Sequence, residues 1–145
     1  MGANLYRAHL EDVNLGEAVL ENAELRKANL QGVNFTKANL QNVNLVKANL
    51  RGANLIEANL KSADLRSANL ERANLEEVHL ENTNLIFTRL EHANMLEVKC
   101  NEDTILPDGT TWTADIDWSK YGAVELEWEE WFAYRVEHGL DQEAE

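Results

Sequence analysis

The side chains able to do chemistry are few and scattered. The four histidines, His9, His79, His92 and His138, stand with no carboxylate at a spacing that would make a proton relay or a metal site. Cys100, the only cysteine, occupies a position that elsewhere in the chain is apolar, so it reads as a packed thiol and not as a nucleophile. Asp103, Asp108, Asp115 and Asp117 could gather around a cation, but they lack the alternation and the following glycine of a calcium loop. No glycine-rich phosphate loop, zinc spacing or nucleophile elbow is present. The expectation is a chain that is not an enzyme and has no catalytic residue, no cofactor and no metal.

What positions these residues is a period of five. From Leu5 to Leu90 every fifth residue is Leu except Phe35, and Met95 and Cys100 extend the series. The expected core is therefore Leu5, Leu10, Leu15, Leu20, Leu25, Leu30, Phe35, Leu40, Leu45, Leu50, Leu55, Leu60, Leu65, Leu70, Leu75, Leu80, Leu85, Leu90, Met95 and Cys100. Two residues before each stands Ala, Val or Thr. On an α-helix a step of five rotates by about 140° and spreads the leucines around the rod; on a straight strand an odd step alternates faces. A short extended piece followed by a bend keeps both residues of each unit inward, so the chain must coil around its own core. Alanine at so many inward positions implies a narrow interior filled by a leucine column.

Units such as Ala48-Asn49-Leu50-Arg51-Gly52 and Ala63-Asp64-Leu65-Arg66-Ser67 resemble the pentapeptide-repeat family, whose signature is A(D/N)LXX. The resemblance covers residues 1–100, and the end of the chain, with Leu106-Pro107-Asp108-Gly109, is similar to cyanobacterial members of the family. It implies an all-β fold: a right-handed quadrilateral β-helix, a solenoid with four pentapeptides per coil and about five coils in all. The unit pattern is broken at its polar position by His9, Val19, Glu24, His79, Arg89 and Lys99.

With four units to a coil, residues twenty apart stack. Asn14, Asn34, Asn54, Asn74 and Asn94 then fall in register as an amide ladder or as caps of the bends, and Asn22, Asn42, Ser62 and Asn82 form a second row. The side after Leu5, Leu25, Leu45, Leu65 and Leu85 displays Tyr6, Arg7, Arg26, Lys27, Val46, Lys47, Arg66, Ile86 and Phe87, with Glu24 and Asp64 set against the cations. Aromatic residues beside arginine enrich interfaces, which makes this the candidate partner surface, against the plainer reading of a solvated face with a few apolar residues. The opposite side carries Glu17, Glu57, Glu76, Glu77 and Glu97 against Lys37.

Residues 101–145 form the second region. Asn101 interrupts the repeat, Leu106-Pro107-Asp108-Gly109 is a turn, and apolar residues from about Ala123 to His138 follow helical spacing. An amphipathic α-helical cap is expected there, with Trp128, Trp131 and Phe132 covering the last coil. The net charge of −13 is uneven: residues 1–100 hold 11 Lys and Arg against 13 Asp and Glu, whereas residues 101–145 hold 2 against 13. Near-neutral coils with one basic side argue against imitation of DNA, and the acidic total argues against nucleic-acid binding.

The function expected is a non-catalytic protein-binding or scaffold solenoid whose partner the residues do not name. The alternative, from the family resemblance, is a DNA-mimicking inhibitor or protector of a type II topoisomerase, DNA gyrase. No stretch is apolar enough to span a membrane, and Met1-Gly2-Ala3-Asn4-Leu5 lacks the basic start of a secretory signal, so the cytoplasm is expected. The first coil, Ala3 to Leu20, has no covering segment; a partner, a second copy in a homodimer through that coil, or a missing upstream segment would cover it, and the competing pairing through the carboxyl helix is opposed by that helix's negative charge.

Overall fold

The computed structural model describes residues 2–140. Parallel bridges join residues twenty apart, from Asn4 to Glu24 up to His79 to Lys99, so one coil contains four pentapeptides. Each unit contributes a single bridged residue, the polar one between the two inward side chains, and no named strand forms among the described residues. The inward Leu amide reaches up one coil, as in Leu50 N to Asn69 O at 2.7 Å, and the polar residue's amide reaches down, as in Asn49 N to Ala28 O at 2.9 Å. Each unit with a coil above and below it is thus held from both sides.

Between units the chain bends. The amide of each small residue donates to the carbonyl of the preceding large one, as in Ala53 N to Leu50 O at 3.0 Å. The third residue of that turn takes positive φ, the requirement of a type II turn. Seventeen residues other than glycine adopt it between Arg7 and Glu97, with φ from 55 to 65°. The left-handed region costs an ordinary residue roughly 1–2 kcal/mol, and here the ladder above and below enforces it. The Asn side chain secures the same bend: Asn34, Asn54 and Asn74 accept from the amide two residues on at 2.9, 3.1 and 3.1 Å. Asn34 Nδ2 also donates to Asn14 Oδ1 at 3.0 Å, so the expected ladder and the expected bend cap are the same asparagines.

Leu25 through Leu90, with Phe35 and Met95, are buried in one apolar cluster; Leu5, Leu10, Leu15, Leu20 and Cys100 are half-buried and pack against it. Thr83, Thr88 and Thr104, buried where Ala is usual, donate their hydroxyls to the carbonyls of Leu60, Leu65 and Leu80 at 2.9, 2.9 and 2.7 Å.

The end of the chain departs from expectation in three ways. The ladder does not stop at Cys100: Ile105 bridges Asn84 and Val124 bridges Asn94, both in parallel. Leu106 and Ala123 accordingly join the core. The helix, α1, spans Trp128–Glu137 and not Ala123 to His138, because Ala123 and Val124 are committed to the edge of the coil. The expected cover of Trp128, Trp131 and Phe132 is corrected as well. Trp128 and Phe132 are each 55% exposed, and Trp131, although buried, stands apart from the core cluster. The tryptophan that enters the core is Trp118, 3% exposed, carried by a 3₁₀ turn at Trp118–Tyr121.

Candidate partner surface

Backbone bonds set the side after Leu5 in register. Arg7 N donates to Arg26 O at 3.1 Å, Lys27 N to Val46 O at 2.9 Å, Lys47 N to Arg66 O at 3.0 Å and Ser67 N to Ile86 O at 2.9 Å. All nine residues singled out in the sequence, Tyr6, Arg7, Arg26, Lys27, Val46, Lys47, Arg66, Ile86 and Phe87, therefore lie along one row. Val46 and Ile86 are half-buried and the others exposed. At one end the guanidinium groups of Arg7 and Arg26 sit 5.3 and 5.0 Å from the Tyr6 ring, a cation–π pair from two successive coils. At the other end the Phe87 ring is 75% exposed. Between them Arg66 grips Asp64 with Nε at 2.9 Å and Nη2 at 2.7 Å. Burial works against the Asp64 carboxylate, yet these bonds hold its pKa below the ordinary value.

The acidic side is stacked in the same manner, with Glu57 N donating to Glu76 O at 2.9 Å and Glu77 N to Leu96 O at 2.9 Å. Burial raises the pKa of the Glu76 carboxyl, and the charges of Glu77, Glu127, Glu97 and Glu57 add to that. In chain order around the coil, the row after Leu10, Leu30, Leu50, Leu70 and Leu90 lies between the basic and acidic sides, and α1 rests on it. Asn94 holds the approach to the helix, accepting from Leu126 N at 3.0 Å and donating to Leu126 O at 2.9 Å. His92 Nδ1 lies 2.6 Å from the Tyr134 hydroxyl on α1. The helix thus covers the middle row, and among the described residues nothing covers the basic, aromatic side.

Of the residues weighed for catalysis only His92 and His138 come together, with ring centroids 5.6 Å apart, and the others are scattered. His9 pairs with exposed Glu11 at 3.2 Å, His79 stands 3.5 Å from Glu81, and His138 faces the Tyr134 carbonyl at 2.9 Å. Burial, with help from the charge of Glu81 and against a hydrogen bond from Thr104, pushes the Cys100 thiol up to about 12, so almost no thiolate exists at neutral pH. Asp108, Asp115 and Asp117 each close a local turn, on Thr110, Thr113 and Ser119. Among the described residues no group of three or more His, Cys, Asp or Glu could hold a metal ion, and no helix is long and apolar enough to cross a membrane. Sequence reasoning missed the ring cluster of His92, Tyr134 and His138, in which centroids lie 4.1–5.8 Å apart. It also missed Trp118. The spacing of Trp118 and Tyr121 was the one available signal for the latter.

The family described as pentapeptide repeats matches in eight copies over residues 3–42, 34–72 and 58–95. Among solved structures, a pentapeptide repeat protein from the cyanobacterium Cyanothece 51142, Rfr23, is 29% identical over 73% of this chain, with a TM-score of 0.45. This chain spans 65% of that protein's length. A pentapeptide repeat protein of Nostoc PCC 7120 is 28% identical, covering 86% of each chain, with a TM-score of 0.43. One from the Arabidopsis thaliana thylakoid lumen is 22% identical, covering 82% of this chain and 83% of its own, with a TM-score of 0.58. No curated protein matches.

Proposed function

This chain belongs to the pentapeptide repeat family, right-handed quadrilateral β-helices that generally bind or build and do not catalyse, and on that premise we propose that it is a non-catalytic protein-binding or scaffold solenoid. The observation that carries the reading is the uncovered basic side. Its cations, Arg7, Arg26, Lys27, Lys47 and Arg66, recur on four successive coils, an aromatic ring stands at each end, and α1 is docked on the neighbouring row instead. Arginine and aromatic side chains on a rigid frame lose little freedom on binding, and so contribute most to an interface. The complementary partner is a protein surface with acidic groups flanking apolar pockets. Residues 1–100 supply the docking frame, about five coils long, and residues 101–140 continue its ladder and close it. A single cysteine, which can form no disulfide within the chain, fits a reducing compartment such as the cytoplasm.

The test is affinity capture from the native host with the wild-type chain and with Arg26→Glu/Phe87→Ser. Both positions are exposed, so the variant should keep its melting temperature. A protein retained by the wild type and lost from the variant supports the reading, and an identical set of captured proteins in both overturns it. Imitation of DNA at a type II topoisomerase would need negative charge along the coils. Residues 1–100 hold 11 Lys and Arg against 13 Asp and Glu, and one side is basic, so the protein-binding reading stands first.

The first coil supports a second part of the proposal. Leu5, Leu10, Leu15 and Leu20 remain half-buried while the equivalent side chains above them are enclosed. A homodimer through this coil would bury them, and two copies related by a two-fold axis would close the joint. Light scattering should give twice the chain mass for the wild type and the chain mass for Leu10→Lys, whose charge is not tolerated at an apolar joint. A wild-type monomer, or a dimer in both proteins, rules the pairing out.

A further inference from the structure

Helix α1 carries two apolar faces. Side chains three or four apart share a face of a helix, and Trp131 and Tyr134 turn inward, Trp131 buried and Tyr134 against His92. Trp128, Phe132 and Val136, four apart, form a second stripe that turns outward, each more than half exposed. Among the described residues six large hydrophobic side chains are exposed. Three of them make this stripe, and two more, Tyr6 and Phe87, stand at the ends of the basic row. Exposed apolar side chains are therefore gathered on two sides of the protein, and gathered apolar surface marks a place of association.

The two sides carry opposite charge. Glu125, Glu127, Glu129 and Glu137 are exposed on α1 and its approach, whereas the row exposes Arg7, Arg26, Lys27 and Lys47. No ion pair among the described residues engages any of these four cations. The chain cannot bring its own stripe to its own row. Asn94 at Leu126 and His92 at Tyr134 pin α1 on the row between, with the stripe facing away from the coils. The dimensions also agree. The ten residues of α1 span about 15 Å, and the row from Tyr6 to Phe87, crossing coils about 4.8 Å apart, spans about 19 Å.

We propose that α1 of one copy docks its outward stripe on the basic row of a second copy. The proposal rests on the reading of that row as a protein-docking surface and names the partner. Trp128, Phe132 and Val136 meet the Phe87 ring and the half-buried Val46 and Ile86, while the glutamates face the unpaired cations. Two α1 helices would instead set glutamates against glutamates, so the helix has the row as its complement and not another helix. One helix of this length buries less than a standard interface, which makes the contact weak, with a Kd of about 0.1–1 mM. Such a contact adds no mass in dilute light scattering and joins rods side by side where they are concentrated.

Sedimentation equilibrium of the full chain carrying Leu10→Lys, which blocks pairing through the first coil, tests the contact. In about 20 mM salt the average mass should rise between about 0.05 and 1 mM protein, and about 0.5 M salt should weaken the association by about threefold or more. Arg26→Glu/Phe87→Ser removes the row and Trp128→Ala/Phe132→Ala removes the stripe. All four positions are exposed, so both variants should melt like their parent. Either variant alone should stay monomeric over the same range. An equal mixture of the two should associate again, because one chain supplies the stripe and the other the row. Three outcomes overturn the proposal: a Leu10→Lys chain that stays monomeric, a single variant that associates like its parent, or a mixture that stays monomeric. If the chains do not associate while capture of a host protein still depends on Arg26 and Phe87, the row binds protein and a second copy is the wrong partner.

Discussion

Leu50→Ala should destabilise the protein by about 2–5 kcal/mol, toward the upper end of that range. Leu50 has no exposed surface and belongs to the core cluster in the middle of the coil stack. The cost of such a truncation depends on how far the surroundings can collapse into the void, and here they can collapse very little. Leu50 N is tied to Asn69 O at 2.7 Å, Asn49 N to Ala28 O at 2.9 Å and Ala53 N to Leu50 O at 3.0 Å, so the backbone cannot move inward without breaking pairs on two coils. The void also sits where each coil is stabilised only by its neighbours, and both neighbours lose contacts. Urea denaturation of wild type, Leu50→Ala and Leu5→Ala checks this. The midpoint should fall most for Leu50→Ala and less for Leu5→Ala, because Leu5 is already half-exposed to water. A midpoint unmoved by Leu50→Ala would refute the enclosed leucine column.

The column was legible because a period of five admits only a coiled path, and the small residue two places earlier marked the inward side. The row from Tyr6 to Phe87 was legible for the same reason: once the coil is twenty residues, spacing alone puts Arg7, Arg26, Lys47 and Arg66 on one side. The bends were not. A reader of Arg7, Lys27 or Phe87 has no cause to assign positive φ to such residues, because the force that imposes it is the ladder between coils and not local preference. The third strand of error lay after Cys100. The unit Thr104-Ile105-Leu106 was hidden by one extra residue, since Ile105 bridges Asn84 at a separation of 21 instead of 20. Ala123 and Val124 fit the helical spacing of Trp128 and Trp131, but the ladder edge at Ala93 to Met95 offered them two backbone bonds, Val124 N to Ala93 O at 2.8 Å and Met95 N to Val124 O at 2.7 Å. Those bonds are specific to the folded coil and leave no trace in a periodicity. The docking of α1 was invisible for a related reason: sequence spacing does not say which row a terminal helix will choose.

Trp118→Ala should cost about 3–5 kcal/mol and should make the protein aggregate, whereas Trp128→Ala should change stability by no more than about 0.5 kcal/mol. The two tryptophans lie ten residues apart in the same acidic region. Trp118 is 3% exposed and joins Leu106 and Ala123 in the core, beyond the last full repeat. Its position is fixed at both ends of the 3₁₀ turn. Asp117 accepts from Ser119 N at 3.0 Å, and Gly122, at φ 81°, donates back to Ser119 O at 2.9 Å. Tyr121 packs beside it with ring centroids 6.3 Å apart. Removing the indole opens the end of the column to water, and an apolar end with free ladder edges is a surface on which other copies can add. Trp128 is 55% exposed at the start of α1, so its loss uncovers little. Thermal melts followed by light scattering compare the two variants directly. If Trp128→Ala aggregates and Trp118→Ala melts like the wild type, α1 is the cover of the last coil and the 3₁₀ turn is not.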